Sequence, residues 1–129
     1  MASHDFALSG AMGRMGQMIA SVASQSSDMV LVGGLEYAQS PHQGAPCGTG
    51  VITDDVAHLA PASVIIDFSS PAATMALIEA VKGTNQALVI GTTGLDDTQE
   101  AALRDAAQTV PILYCANTSM GVNLLLKLV

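Results

Sequence analysis

The chain has 129 residues, a length that suits one domain. Half of them are hydrophobic, with no Trp and only two Phe and two Tyr, so the core must come from Ala, Val, Ile, Leu and Met. A formal net charge of −7 with four Lys and Arg argues against nucleic acid or an anionic membrane as partner, and no run approaches the roughly 18 apolar residues of a membrane helix.

The opening "MASHDFALSG" has no basic region ahead of its apolar residues and does not read as a signal peptide. Cys47 and Cys115 are far apart and form no CxxC, which reads as two free thiols in a reducing cytoplasm. His4, His42 and His58 lack ligand spacing, so no metal site is expected.

Residues 6–9 are a short apolar strand ending at Gly10. After it, Met15, Met18, Ile19 and Val22 fall on one helical face, and Ser26, Ser27 and Asp28 break the helix. Residues 29–36, "MVLVGGLE", form the second strand, with an acid at its end. Residues 37–50 are rich in Gly, Pro, Gln and Ser and read as a mobile loop. "TDDVAHLAP" predicts a short helix capped by Thr53 or Asp54.

Residues 63–70, "SVIIDFSS", are a buried strand, and Pro71 opens the next helix at a position where its missing N–H costs nothing. The inner face of that helix is Thr74, Leu77, Ile78 and Val81, with Gly83 as its stop. Residues 87–91 are a strand. Asp96 and Gln99 then have the spacing of a capping box, on a helix that buries Leu103, Ala106, Ala107 and Val110. Residues 111–116 are the last strand and "GVNLLLKLV" reads as a further helix. The alternation predicts an α/β fold, a Rossmann-like doubly wound parallel sheet in a single domain over residues 1–129.

Ligands of such sheets bind beyond the carboxyl ends of the strands. After strand one stands Gly10-Ala11-Met12-Gly13-Arg14-Met15-Gly16. The spacing is GxxGxxG, with Met12 where the dinucleotide fingerprint has its middle glycine. Gly10 permits the tight turn, Gly13 lets the backbone approach a pyrophosphate, and Gly16 lets the helix pack close to the strand. Glu36, twenty residues beyond Gly16, can accept the hydroxyls of an adenosine ribose. A 2′-phosphate beside that carboxylate is repelled and Tyr37 supplies no cation, so NADH is expected to be preferred, with NADPH possible.

"GAMGRMG", "IDFSSP", "VIGTTG" and "ANTSMGVNLLLKL" occur in the order and spacing of the N-terminal half of the dihydrodipicolinate reductase family, which the chain resembles from Phe6 to Val129. The resemblance implies reduction by NAD(P)H of a small-molecule substrate, a cyclic imine-type dicarboxylate of lysine and diaminopimelate biosynthesis. By motif match, Gly10, Ala11, Met12, Gly13, Arg14 and Met15 would hold the pyrophosphate and Glu36 the ribose, with Tyr37 beside it and Phe68 bordering the cofactor. Gly91, Thr92 and Thr93 would meet the nicotinamide half, with the backbone amides and hydroxyls of Thr92 and Thr93 fixing its carboxamide and Thr93 also near the substrate. Cys115, Ala116, Asn117 and Thr118 would form the second nicotinamide segment.

Two positions depart from common forms of the family: Thr118 stands where some members have an aromatic residue and Tyr37 where NADPH-using members often have an arginine. The family's second domain, with its His-rich proton donor, lysine and "SGTA"-like clamp, has no counterpart in this sequence. The chain is therefore expected to bind cofactor with negligible turnover, to expose apolar surface where the second domain would pack, and to contain no catalytic residue. The resemblance also implies that the whole protein is a cytoplasmic homotetramer formed through the other domain. Two other readings fit the glycine loop and Glu36: a non-catalytic nucleotide-binding regulatory module, and the cofactor half of another amino-acid-pathway dehydrogenase.

Overall fold

A computed structural model describes residues 4–115. Its sheet has seven strands: β1 (His4–Ser9), β2 (Met29–Leu35), β3 (Pro46–Cys47), β4 (Gly50–Thr53), β5 (Val64–Asp67), β6 (Ala87–Ile90) and β7 (Ile112–Tyr114). The helices are α1 (Arg14–Ser24), α2 (Pro71–Val81) and α3 (Asp97–Ala106). Strand order is β3-β4-β2-β1-β5-β6-β7, and every pairing is parallel except β3 with β4. The chain runs outward from β1 in one direction through β2 and β4, then returns to build β5, β6 and β7 on the other side. β1 is thus where the order reverses, which is where doubly wound sheets bind ligands.

Alternation along the strands explains why helices cover both faces. Phe6 and Leu8 point with Ile66 into a core closed by Ile19 and Ala23 of α1. Ala7 and Ile65 point the other way, into a core with Leu77, Ile78 and Val81 of α2 and Leu103 and Ala106 of α3. Adjacent residues of one strand feed opposite cores, so the strands read as continuous apolar runs.

The local signals act as expected. Ser70 caps α2 with Pro71 in its first turn, and Thr74, Leu77, Ile78 and Val81 are its buried residues. The Asp96–Gln99 capping box is formed in both directions. Four readings need correction. The methionine face of α1 is rotated: Gly16, Ile19 and Ala23 are buried, whereas Met18 is 49% exposed. Gly16 sets this phase because it packs directly on the backbone of residues 10 and 11. Met18 lies two residues on, about 200° around the helix.

Ala107 is exposed because α3 ends at Ala106 and the chain turns there before Val110 is buried. The predicted short helix is a 3₁₀ turn, Val56–Leu59, capped by Asp55. Thr53 is unavailable as its cap because it ends β4, paired with Leu35. The stretch 37–50 is not one loop. It contains β3 and the start of β4, joined by the two-residue turn Gly48-Thr49. Gln43 ties it down by donating to the carbonyls of Glu36 and Tyr37 at 3.1 and 2.9 Å. The predicted helix from Gly121 onward lies outside the described residues.

Candidate cofactor site

Register places the ends of the parallel strands in one row across the sheet. Thr53 pairs with Leu35, Leu35 with Ser9, Ser9 with Asp67, Asp67 with Ile90 and Ile90 with Tyr114. The next residues, Asp54, Glu36, Gly10, Phe68, Gly91 and Cys115, therefore begin loops along a single edge. Residues scattered over most of the sequence become neighbours because parallel pairing aligns strand ends.

The glycine loop is built by close approach. The N–H of Gly10 donates to the Leu35 carbonyl at 3.0 Å, and Gly10 has φ +76°, which disfavours a side chain. A Cβ there would also strike the carbonyl of Phe68. At Gly16 a Cβ would strike the Gly10 carbonyl and lie 2.6 Å from that of Ala11, so α1 sits directly on the turn. Gly13 is the N-cap of α1 and is exposed; no side chain caps this terminus and no acid stands in its first turn. The first-turn amides are those a helix leaves without internal partners, and they carry its partial positive charge. Arg14 is the exposed first residue of α1, Met15 is half-buried and Ala11 is buried in the core beside it.

Glu36 follows β2 directly, and its amide donates to the Thr53 carbonyl at 3.0 Å. Its side chain reaches back into the glycine loop, where Oε2 accepts the Met12 N–H at 2.8 Å. The acid expected to meet a ribose thus also holds the loop. Met12, the residue that breaks the standard fingerprint, supplies that contact through its backbone.

A groove of about 1440 Å³ runs from this loop. That exceeds the roughly 300–1,000 Å³ of common small-ligand pockets. Its walls include Gly10, Met12 and Gly13, then Phe68 and Ser69, then Glu36 and Tyr37. It continues past Asp54 and Asp55, between Ala57 and Ala60 of the 3₁₀ turn and Ala73, Ala76 and Ala80 of α2. Tyr37 is 62% exposed on its rim. His42 also lines it, but among the described residues no Lys or Arg does. Sequence reasoning missed Asp54, Asp55 and the alanine wall. The two acids look like caps, and alanines between the buried residues of α2 look like filler.

Gly91, Thr92 and Thr93 adjoin this groove without lining it. Gly91 is packed against the ring of Phe68, where a Cβ would collide, and its amide donates to the Asp67 carbonyl at 2.8 Å. Thr93 is exposed. Thr92 is 3% exposed, and its hydroxyl accepts the Ser69 N–H at 3.0 Å and donates to Asp67 Oδ2 at 3.2 Å. This hydroxyl therefore has no proton free to donate to a carboxamide, because its single proton is used inside the protein. Cys115 is half-buried, its amide donating to the Ile90 carbonyl at 2.8 Å. Ala116, Asn117 and Thr118 lie outside the described residues. Among the described residues no group of three or more His, Cys, Asp or Glu side chains forms a metal site, and no helix is long and apolar enough to cross a membrane.

Comparison with known proteins agrees with the resemblance read from the motifs. The family model described as "Dihydrodipicolinate reductase, N-terminus" matches residues 5–118. The 4-hydroxy-tetrahydrodipicolinate reductase of Burkholderia multivorans is 45% identical over 130 aligned positions, covering 95% of this chain and 49% of that protein. The enzyme of the same name from Laribacter hongkongensis is 42% identical, with 94% and 48% covered. The chain thus spans about half the length of the curated relatives it matches.

Among solved structures, dipicolinate-bound dihydrodipicolinate reductase from Paenisporosarcina sp. TG-14 shares the fold at TM-score 0.72 and 21% identity, covering 98% of this chain and 52% of that one. S. aureus homoserine dehydrogenase shares it at TM-score 0.69 and 15% identity, with 90% and 33% covered. The glycine loop at the point where strand order reverses, the row of strand ends and the family match over residues 5–118 converge: the chain belongs to the dihydrodipicolinate reductase N-terminal domain family.

Proposed function

We propose that this domain is the cofactor half of a 4-hydroxy-tetrahydrodipicolinate reductase and binds NAD(P)H along the groove. The observation that carries the reading is the join between Glu36 and the Met12 amide, made where strand order reverses. It supports the reading because a carboxylate that could accept ribose hydroxyls and a helix terminus that could hold phosphate are then joined by a hydrogen bond. The pyrophosphate would lie over Gly13 and the first-turn amides of Arg14 and Met15. One oxygen of Glu36 would keep the loop while the other accepts a ribose hydroxyl.

The space between the two alanine walls suits a flat apolar base, with Tyr37 on the rim to cover it. The backbone of Gly91 and Thr92, exposed Thr93 and the segment from Cys115 to Thr118 would orient the nicotinamide, with Thr93 nearest the substrate. When bound, the nicotinamide supplies the hydride; the protein residues orient and shield it. Substrate clamping, proton donation and tetramer formation belong in this reading to the remainder of a cytoplasmic enzyme. The chain alone would then bind cofactor with negligible turnover.

The groove favours NADH. Glu36, Asp54 and Asp55 line it, and among the described residues no Lys or Arg does. A 2′-phosphate about 6 Å from one carboxylate is disfavoured by about 3 kcal/mol per unit charge at an effective dielectric near 20, before salt screening. Titrating the chain with NADH and NADPH at equal ionic strength tests both points. The expected result is saturable NADH binding with NADPH at least tenfold weaker. Absence of NADH binding overturns the cofactor reading, and tighter NADPH overturns the preference.

A further inference from the structure

Asp67 ends β5 inside a run otherwise made for burial, and it is fully buried. Ionisable side chains are almost never buried without partners. Among the described residues it has no cationic partner. Three hydroxyls take that place. Ser69 Oγ donates to Oδ1 at 2.5 Å, and Thr74 Oγ1 donates to Oδ2 at 2.5 Å. Thr92 Oγ1 donates to Oδ2 at 3.2 Å.

These donors come from three elements: the loop after β5, helix α2 and the loop after β6. Thr92 closes the arrangement by accepting the Ser69 N–H at 3.0 Å, so the two loops are tied to each other as well as to the acid. The ring of Phe68 against Gly91 adds a packing contact between the same loops. The next residue, Thr93, is exposed at the edge where the strand ends meet.

We infer that Asp67 is a positioning residue that fixes the 91–93 segment through the Thr92 hydroxyl, and that it thereby governs binding of the nicotinamide half of the cofactor and not its adenosine half. The inference rests on the NAD(H) reading above. Among the described residues Glu36 and Tyr37, on the adenosine side of the groove, share no hydrogen bond with this network, and the alanines of α2 reach it only through Ser70, whose hydroxyl accepts the Ala73 N–H at 3.2 Å.

The test compares NADH with ADP-ribose, which has the same adenosine diphosphate and no nicotinamide, by calorimetric titration of the full chain. Thr92→Val keeps the shape of the side chain and removes both of its hydrogen bonds; Thr92→Ser keeps the hydroxyl. The expected result is a loss of at least fivefold in NADH affinity for Thr92→Val, ADP-ribose within twofold of the parent, and recovery of NADH affinity in Thr92→Ser. Asp67→Asn, which must turn an NH₂ toward one of the three hydroxyl donors, should show the same selective loss.

Equal losses for both ligands, or none for either, overturn the inference while leaving the cofactor reading intact. A parent chain that binds neither ligand overturns the cofactor reading itself. Where a variant does not fold, hydrogen exchange on the parent decides: the Ser69 amide should be protected well beyond its exposed neighbours, and unprotected exchange there overturns the tie between the loops.

Discussion

Gly16→Ala tests whether α1 must touch the glycine loop. An alanine Cβ would collide with the Gly10 carbonyl and stand 2.6 Å from the Ala11 carbonyl oxygen. Both obstacles are backbone and neither can rotate away. Reaching the 3.4 Å of ordinary contact needs a displacement of at least about 0.8 Å from the Ala11 oxygen, and more from the nearer Gly10 carbonyl. Overpacking of this kind costs about 1–3 kcal/mol, here at the upper end, while replacing a helical Gly by Ala returns about 1 kcal/mol. The net loss of about 2 kcal/mol lowers the melting temperature by about 8 °C for a domain of this size.

Under the proposed cofactor reading, the same displacement would move the first-turn amides of α1 off the pyrophosphate. Losing one charge-assisted hydrogen bond, about 1.5–3 kcal/mol, weakens NADH binding more than tenfold. Gly13→Ala separates the two effects. Its Cβ meets only the Gly10 carbonyl, at 3.3 Å, and its φ of −74° suits alanine. That variant should stay within about 1 kcal/mol of the parent in stability, yet lose NADH affinity because the methyl group faces the ligand. Thermal unfolding by circular dichroism and NADH fluorescence titration measure both. A Gly16→Ala protein that melts within about 2 °C of the parent and binds NADH as well would refute close approach as the reason for this glycine.

Tyr37→Arg places a guanidinium on the groove rim beside Glu36, where Tyr37 is 62% exposed and nothing needs repacking. NADPH affinity should rise about tenfold, about 1.4 kcal/mol, because an exposed, screened guanidinium offsets about half of the penalty per unit charge, with NADH nearly unchanged; equal gains for both would point to stacking rather than charge. Burial pushes the Cys47 thiol up from its ordinary value, because the thiolate is the form that desolvation disfavours. The folded state then holds this proton more tightly than the unfolded one. Stability from this group is fully present below the unfolded thiol value and is lost as pH rises above it. At about pH 8.5, near that value, peptide-mapped alkylation by iodoacetamide should be several times slower at Cys47 in the folded chain than after urea unfolding; equal rates count against the shift.

Much of the architecture is written locally. Apolar runs bounded by Gly, Pro and Asp define β1, β2, β5 and β6, and the Asp96–Gln99 box and Pro71 locate helix starts to the residue. These signals are legible because each depends on neighbours within a few positions. The β3–β4 hairpin is not legible in this way. With two residue pairs it is too short to show a period, and it exists because β4 pairs with β2.

The sequence by itself determined the order of β1, β2, β5, β6, β7 and the three helices, the parallel sheet, the glycine loop and the family, since pattern and motif suffice for these. The tertiary structure decided how the elements meet. Helix phase turned Met18 outward because Gly16 had to face the turn at Gly10 and Ala11. Strand register brought Glu36 to the Met12 amide, 24 residues away. It also brought Thr92 to Asp67, 25 residues away, and made a suspected cofactor ligand into an internal link. A hydroxyl has one proton, and only the packed fold shows where that proton goes.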